Sequence, residues 1–119
     1  MILTQNVLKD GVLDPWFWDQ KYLLLSDDER KAKLGDFQDY LAEKDLSQEI
    51  KVGLWFQLGN LYVASKAYEE AIAAYEQALQ LNPDDYQAWN NKGIALSNLG
   101  QHEEAIAAYE QALQLNPDD

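Results

Sequence analysis

The 17 residues from Glu69 to Asp85, EEAIAAYEQALQLNPDD, recur unchanged from Glu103 to Asp119, 34 positions further on. Trp55 and Trp89, Gly59 and Gly93, and Pro83 and Pro117 keep the same offset. A repeat of this period confines the chain to folds in which one supersecondary unit, unable to bury its apolar face alone, stacks on a copy of itself. The units run over 52–85 and 86–119.

Within each unit the apolar residues recur at the period of a helix and not at the alternation of a strand. In 52–85 the first helix carries Leu54, Trp55, Leu58, Leu61 and Tyr62, and Gly59 is placed to admit another backbone. The second carries Ala71, Ile72, Ala74, Tyr75, Ala78 and Leu79. Residues 86–119 repeat the scheme with Trp89, Gly93 and Leu96, then Ala105, Ile106, Tyr109, Ala112 and Leu113. Small alanines let helices close up while the rings fill the space between turns. Pro83 and Pro117 cannot sit in a helix interior, so Asn82 and Asn116 mark stops. Gly100 can take a positive φ between paired helices. Lys66 stands at the matching place in the first unit, where the bend is expected to be made differently.

These residues resemble the tetratricopeptide repeat in two stretches. One is W-F-Q-L-G-N-L-Y with Y-E-E-A-I-A-A-Y-E-Q-A-L-Q-L-N-P, the other W-N-N-K-G-I-A-L with H-E-E-A-I-A-A-Y-E-Q-A-L-Q-L-N-P. The resemblance covers 52–119 and is closest in style to bacterial arrays of near-identical repeats. Lys92 departs from it where Leu is preferred, and Leu96 where an aromatic is usual. It implies an all-α fold, a right-handed superhelical stack of antiparallel helix pairs. First helices would line a concave side that holds an extended peptide, and no enzyme activity is implied. In members that bind chaperone tails, Lys and Asn side chains clamp a terminal carboxylate. Asn60 and Asn91 match the asparagine places of that clamp, but Phe56 stands where its base would be one turn before Asn60. Asparagine both donates and accepts, so the pair can still bond a peptide backbone. The candidate peptide-binding residues are therefore Phe56, as apolar anchor, with Gln57, Asn60, Gln87, Asn90 and Asn91. The alternative is that Asn90 and Asn91 simply face solvent.

Residues 1–51 carry no such motif but are well punctuated. Asp14 with Pro15 can open a helix through Phe17, Trp18, Tyr22 and Leu25. Ser26 and Glu29 form a capping box for a helix to about Lys44, with Leu34, Phe37, Tyr40 and Leu41 on its apolar face. Ser47 can cap the helix that follows. This segment reads as a divergent repeat or, better, as a terminal cap for the stack. Trp16, Phe17 and Trp18 cannot all be buried by one helical side, which leaves one for a partner. Two short strands around Asp10-Gly11 would be marginal alone.

Charge bounds the partners. The net charge is −12, with 11 acids and 7 bases in 1–51 and 10 acids against Lys66 and Lys92 in 52–119. Such a surface repels phosphate backbones and anionic membrane, so neither nucleic acid nor membrane is expected, and a neutral or basic protein or peptide is. Met1 to Leu13 is too short and polar for a signal peptide or span, which makes a cytoplasmic location the default. The absence of cysteine removes disulfides, thiolate metal sites and a cysteine nucleophile.

Little in the chain suggests catalysis, a metal or a cofactor. His102 is the single histidine and stands where the preceding unit has Tyr68, a pattern of surface variation. Asp84-Asp85 and Asp118-Asp119 follow proline stops and serve better as caps than as cation ligands. No Gly-rich phosphate loop or zinc signature occurs. The last unit ends without a visible cap, which reads either as a fragment of a longer array or as an outer face that pairs with another chain, with Ala105, Ala108, Ala112 and Leu115 as self-association candidates. The function expected is a scaffold or adaptor that is not an enzyme, with assembly through the terminal face as the alternative.

Overall fold

The computed structural model describes residues 22–43 and 45–117. Among the described residues the helices given in full are, in order, α1 Asp27–Leu41, α2 Gln48–Ala64, α3 Tyr68–Leu81, α4 Tyr86–Asn98 and α5 His102–Leu115. The arrangement is the all-α helical stack expected. Each of α2–α3 and α4–α5 is a closely packed antiparallel pair, and α4 also lies on α3, joining one pair to the next. Residues 69–79 and 103–113 are both helical. The readings made on Asp10-Gly11, on the Asp14 helix start and on Trp16 to Trp18 lie outside the described residues.

Local chemistry explains each start. Ser26 accepts from the Glu29 backbone N–H at 3.2 Å while the Glu29 carboxylate accepts from the Ser26 N–H at 3.0 Å, the reciprocal box that closes two orphan donors. Glu29 is held below the usual carboxylate range by those hydrogen bonds. Helix α1 ends at Leu41, a few residues short of the expected end near Lys44. Ser47 Oγ accepts from Ile50 N at 3.2 Å and opens α2. Asp85 does the same for α4 through Ala88 N at 3.3 Å.

The two tight turns inside the pairs are alike, against expectation. Gly100 has φ +83°, and Lys66 has φ +62°. In both, the next residue donates back across the turn, Ala67 N to Tyr62 O at 2.8 Å and Gln101 N to Leu96 O at 2.9 Å. This is the left-handed C-terminal stop that satisfies helix-end carbonyls, and lysine adopts it despite its Cβ. The lysine is exposed, so only local strain opposes it.

Three apolar clusters run along the stack. Tyr22, Phe37, Leu54, Leu58, Leu61 and Ala74 form the first, with Leu34, Tyr40 and Leu41 of α1 packed on it as the pattern indicated. The second joins Phe56, Ala71, Tyr75 and Leu79 to Ala88 and Ala95 of α4. The third is Leu96, Ala105 and Ala108. Helix α2, central between α1, α3 and α4, is buried through Gly53–Leu54 and Phe56–Leu61. Trp55 and Trp89 occupy equivalent half-buried places, each laid against a cluster.

Gly59 admits a ring, not the backbone expected of it. A Cβ there would stand 2.6 and 2.8 Å from Tyr75 Cδ1 and Cζ, and Gly93 meets Tyr109 in the same way, at 2.9 and 3.1 Å. Gly35 of α1 has nothing within 4 Å of its Cβ position. Gly59→Ala is therefore expected to lower stability by about 1–3 kcal/mol through overpacking. Gly35→Ala should raise it by about 0.5–1 kcal/mol, by relief of helix entropy. Urea unfolding of both variants checks the contrast. Lys66→Gly should stabilise by roughly 1 kcal/mol, the strain of a non-glycine residue in the left-handed region, and a fall in urea midpoint would contradict it.

Candidate functional site

The first helices of the two pairs meet at a polar centre. Asn60 of α2 sits deep between α3 and α4, and its Oδ1 accepts from Tyr75 Oη at 2.5 Å and from Asn91 Nδ2 at 2.9 Å. The Tyr75 ring reaches it because Gly59 has no side chain in the way. The bond between Asn60 and Asn91 thus links successive units, and the tyrosine bond ties the second helix of the first unit to both. Asn60 Nδ2 is buried with no partner among the described residues. One turn earlier, Gln57 is 0% exposed, and neither its Nε2 nor its Oε1 has one. Buried amide groups normally find partners, so three unmet polar atoms on one side of α2 mark a place where ordered water belongs.

The other expected residues divide. Gln87, Asn90 and Asn91 lie half-buried on α4. Phe56 is not a surface anchor: it is 3% exposed, with its ring 5.9 Å from that of Tyr75 in the second cluster. Being one residue before Gln57, it turns inward toward α3. The exposed apolar residue on this side is Ile94, 38% exposed. It is the 34-residue counterpart of Asn60 and lies three residues beyond Asn91. Sequence reasoning missed it, although the offset alone would have shown the Asn-to-Ile exchange.

At the far end the expected self-association residues are also corrected. Ala105, Ala108 and Ala112 are buried against α4, and Leu115 is half-buried. Small residues occupy the tight helix–helix contact, so they cannot form the outer surface. That surface carries Ile106 and Leu113, 55% and 51% exposed.

Two hollows repeat the period on another side. One of about 510 Å³ is lined by Trp55, Leu58, Tyr62, Glu70 and Ala73 with Leu41 of α1. The other, about 350 Å³, is lined by the counterparts Trp89, Lys92, Leu96, Glu104 and Ala107. Lys92, in the place of Leu58, runs across it with Nζ 5.2 Å from the Trp89 ring centre and 3.4 Å from a Glu76 carboxylate oxygen. Its stem lies along the surface as a snorkelling side chain does. None of the six peptide-binding candidates lines either hollow. Among the described residues there is no group of three or more acids or histidines placed to hold a metal ion. Among them, too, no helix is long and apolar enough to cross a membrane.

Helical hairpins that recur every 34 residues and stack second helix on next first helix define a repeat scaffold, a class whose stacked units form extended surfaces. Residues 56–119, more than half of the chain, match the family model described as Tetratricopeptide repeat, and the chain belongs to that family. The family fold mediates protein–protein interaction. Among curated proteins, the chain is 46% identical over 41 residues to the peroxisomal targeting signal 1 receptor of Dictyostelium discoideum, covering 34% of this chain and 6% of that protein. It is 33% identical over 54 residues to tetratricopeptide repeat-containing protein trd-1 of Caenorhabditis elegans, covering 45% and 7%. The chain thus matches only a small part of the length of either relative.

Asp85 supplies a pH test of the junction between the pairs. Burial raises its pKa above the usual value, opposed by backbone hydrogen bonds from Ala88 and Gln87. A carboxylate whose folded pKa is raised weakens the fold when ionised, and the penalty is relieved as pH falls through that pKa. Asparagine caps as well as aspartate without the charge. Asp85→Asn should therefore be at least as stable as the parent at neutral pH, with its advantage shrinking as the pH is lowered through the carboxylate range. Thermal melts across that range check the sign.

Proposed function

We propose that the chain is an adaptor that holds an extended, neutral or basic protein segment on its concave face, along the first helices α2 and α4. The observation that carries this reading is the row of half-buried amides Gln87, Asn90 and Asn91 on α4 beside the exposed Ile94, with Asn91 held in place by Asn60. An extended backbone offers alternating donors and acceptors, which is what side-chain amides can meet in both directions. Ile94 then supplies the apolar contact that Phe56, in the core, does not. Net charge favours a basic segment over an acidic one. A matched relative whose name makes it a receptor for a targeting signal is in keeping with a recognition role.

A second reading, docking through the outer face of α5, is favoured by the exposure of Ile106 and Leu113. Two large aliphatic side chains on one helical side are better covered than wetted.

Selection of random peptides displayed on phage against the whole chain tests the first reading. Enriched sequences should be neutral or basic. Asn90→Ala and Ile94→Lys, on the accessible side of α4, should each weaken capture by about tenfold or more, the loss of one good polar or apolar contact, while melting temperature holds. Binders indifferent to both substitutions, or enrichment of acidic sequences, would remove the concave site.

A further inference from the structure

The hollow beside Trp55 and its counterpart beside Trp89 are filled differently. In the second, Lys92 crosses the space, with Nζ 5.2 Å from the Trp89 ring centre and 3.4 Å from a Glu76 carboxylate oxygen. In the first, the same place in the repeat holds Leu58, which is 3% exposed and packed into the first cluster. The facing wall is Leu41 and Ala42 of α1, and neither can send a charge across. About 510 Å³ is left open there, against about 350 Å³ where the lysine lies. The larger hollow sits between three packed helices, α1, α2 and α3. Trp55 and Tyr62, two turns apart on α2, give it aromatic walls, where the second hollow has Trp89 and Leu96. Its polar lining is Gln38, Glu70 and Gln77, which supplies acceptors and one negative charge but no base. Among the described residues Glu70 forms no ion pair.

We propose that the hollow between α1, α2 and α3 is a binding site for a lysine side chain of a partner protein, held as Lys92 is held in the second hollow. The aliphatic stem lies along Trp55 and Leu58, and the ammonium is shared between the aromatic faces and the Glu70 carboxylate. A pocket of this size with apolar walls and a few polar groups is the usual form of a site for a small guest. The walls suit a methylene stem, and a cation close to an indole or phenol ring is attracted by its quadrupole. Charge then selects among guests. The single charge in the lining is negative and the chain carries −12, so an anionic group is repelled and a cation is drawn in. Lys92 is the internal precedent for lysine in particular, since it meets an indole and a carboxylate at once in the same fold. A protein is the source because the family fold mediates protein–protein interaction. The site shares no residue with the amide row of α4, so it stands apart from the concave reading.

The test uses the full chain labelled with fluorotryptophan, its indole signals read by fluorine NMR and assigned through Trp55→Phe and Trp89→Phe. The probe is the blocked peptide Gly-Ser-Lys-Ser-Gly, with norleucine in place of lysine as the uncharged control and n-butylamine as a free amine. The lysine peptide should move the Trp55 signal saturably and leave that of Trp89 in place. The norleucine peptide should bind at least about threefold more weakly, the scale of one exposed cation contact. Glu70 and Ala73 are both exposed, so Glu70→Gln and Ala73→Phe keep the fold, which circular dichroism verifies. Glu70→Gln should reduce the preference for lysine over norleucine, and Ala73→Phe should block both peptides. Lys92→Ala empties the second hollow, and Trp89 should then respond to the lysine peptide as well. Equal binding of the two peptides, or a preference that survives Glu70→Gln unchanged, overturns the lysine site. Tighter binding of n-butylamine than of the lysine peptide assigns the hollow to small amines and overturns the protein source. A Trp55 signal that moves with protein concentration alone assigns it to a second copy, and one that ignores every probe overturns the site outright. If Ala73→Phe then moves the signals of Trp16 or Trp18, the occupant is the chain's own N-terminal segment. None of these outcomes touches the concave site, which peptide selection reads separately.

Discussion

The stack depends on one contact made twice, a tyrosine ring laid on a glycine. Tyr75 occupies the space above Gly59 and Tyr109 that above Gly93. The contact fixes how closely the two helices of a pair approach, and it does so with a large rigid group that tolerates no added methyl. In the first pair it has a further consequence, because the ring continues through to Asn60 and its hydroxyl finds an acceptor there. The same packing device therefore sets the interhelical distance and positions the polar centre. In the second pair Ile94 replaces the acceptor, so Tyr109 keeps the packing role without the polar one. The two units are equal in scaffold and unequal in surface.

That division explains what the sequence disclosed and what it did not. Periodicity identified the helices, their stops and the small-residue contacts, because these depend on local spacing. The capping box at Ser26 and the Ser47 cap were readable for the same reason, since each closes within three residues. Direction was harder. Phe56 and Gln57 are adjacent on a helix that is enclosed by α1, α3 and α4, so no clear solvent-facing stripe tells inside from outside there. The alanines of α5 look like an apolar outer surface when counted, but their size suits them to the inner contact, and the larger Ile106 and Leu113 remain outside. Lys66 shows a different limit. Propensity favours glycine at such a turn, yet the hydrogen bonds that stop α2 impose the same backbone on lysine.

Because α3 and α5 share every residue after their first, the difference in their environments cannot be assigned to composition. It arises from the neighbour. In a one-dimensional stack each interface is a separate contribution to stability, and a unit lacking one neighbour is less stable by that interface alone. The central helices, held on several sides, are then the last to open, and the exposed turn of α5 the first to yield. Recognition at the polar centre and docking at α5 would act on different parts of this ladder. The first would tie two units that are already locked together by Asn60 and Asn91. The second would cover the exposed Ile106 and Leu113, and at equal affinity and concentration either would stabilise the whole fold by the same amount, differing only in which part it holds.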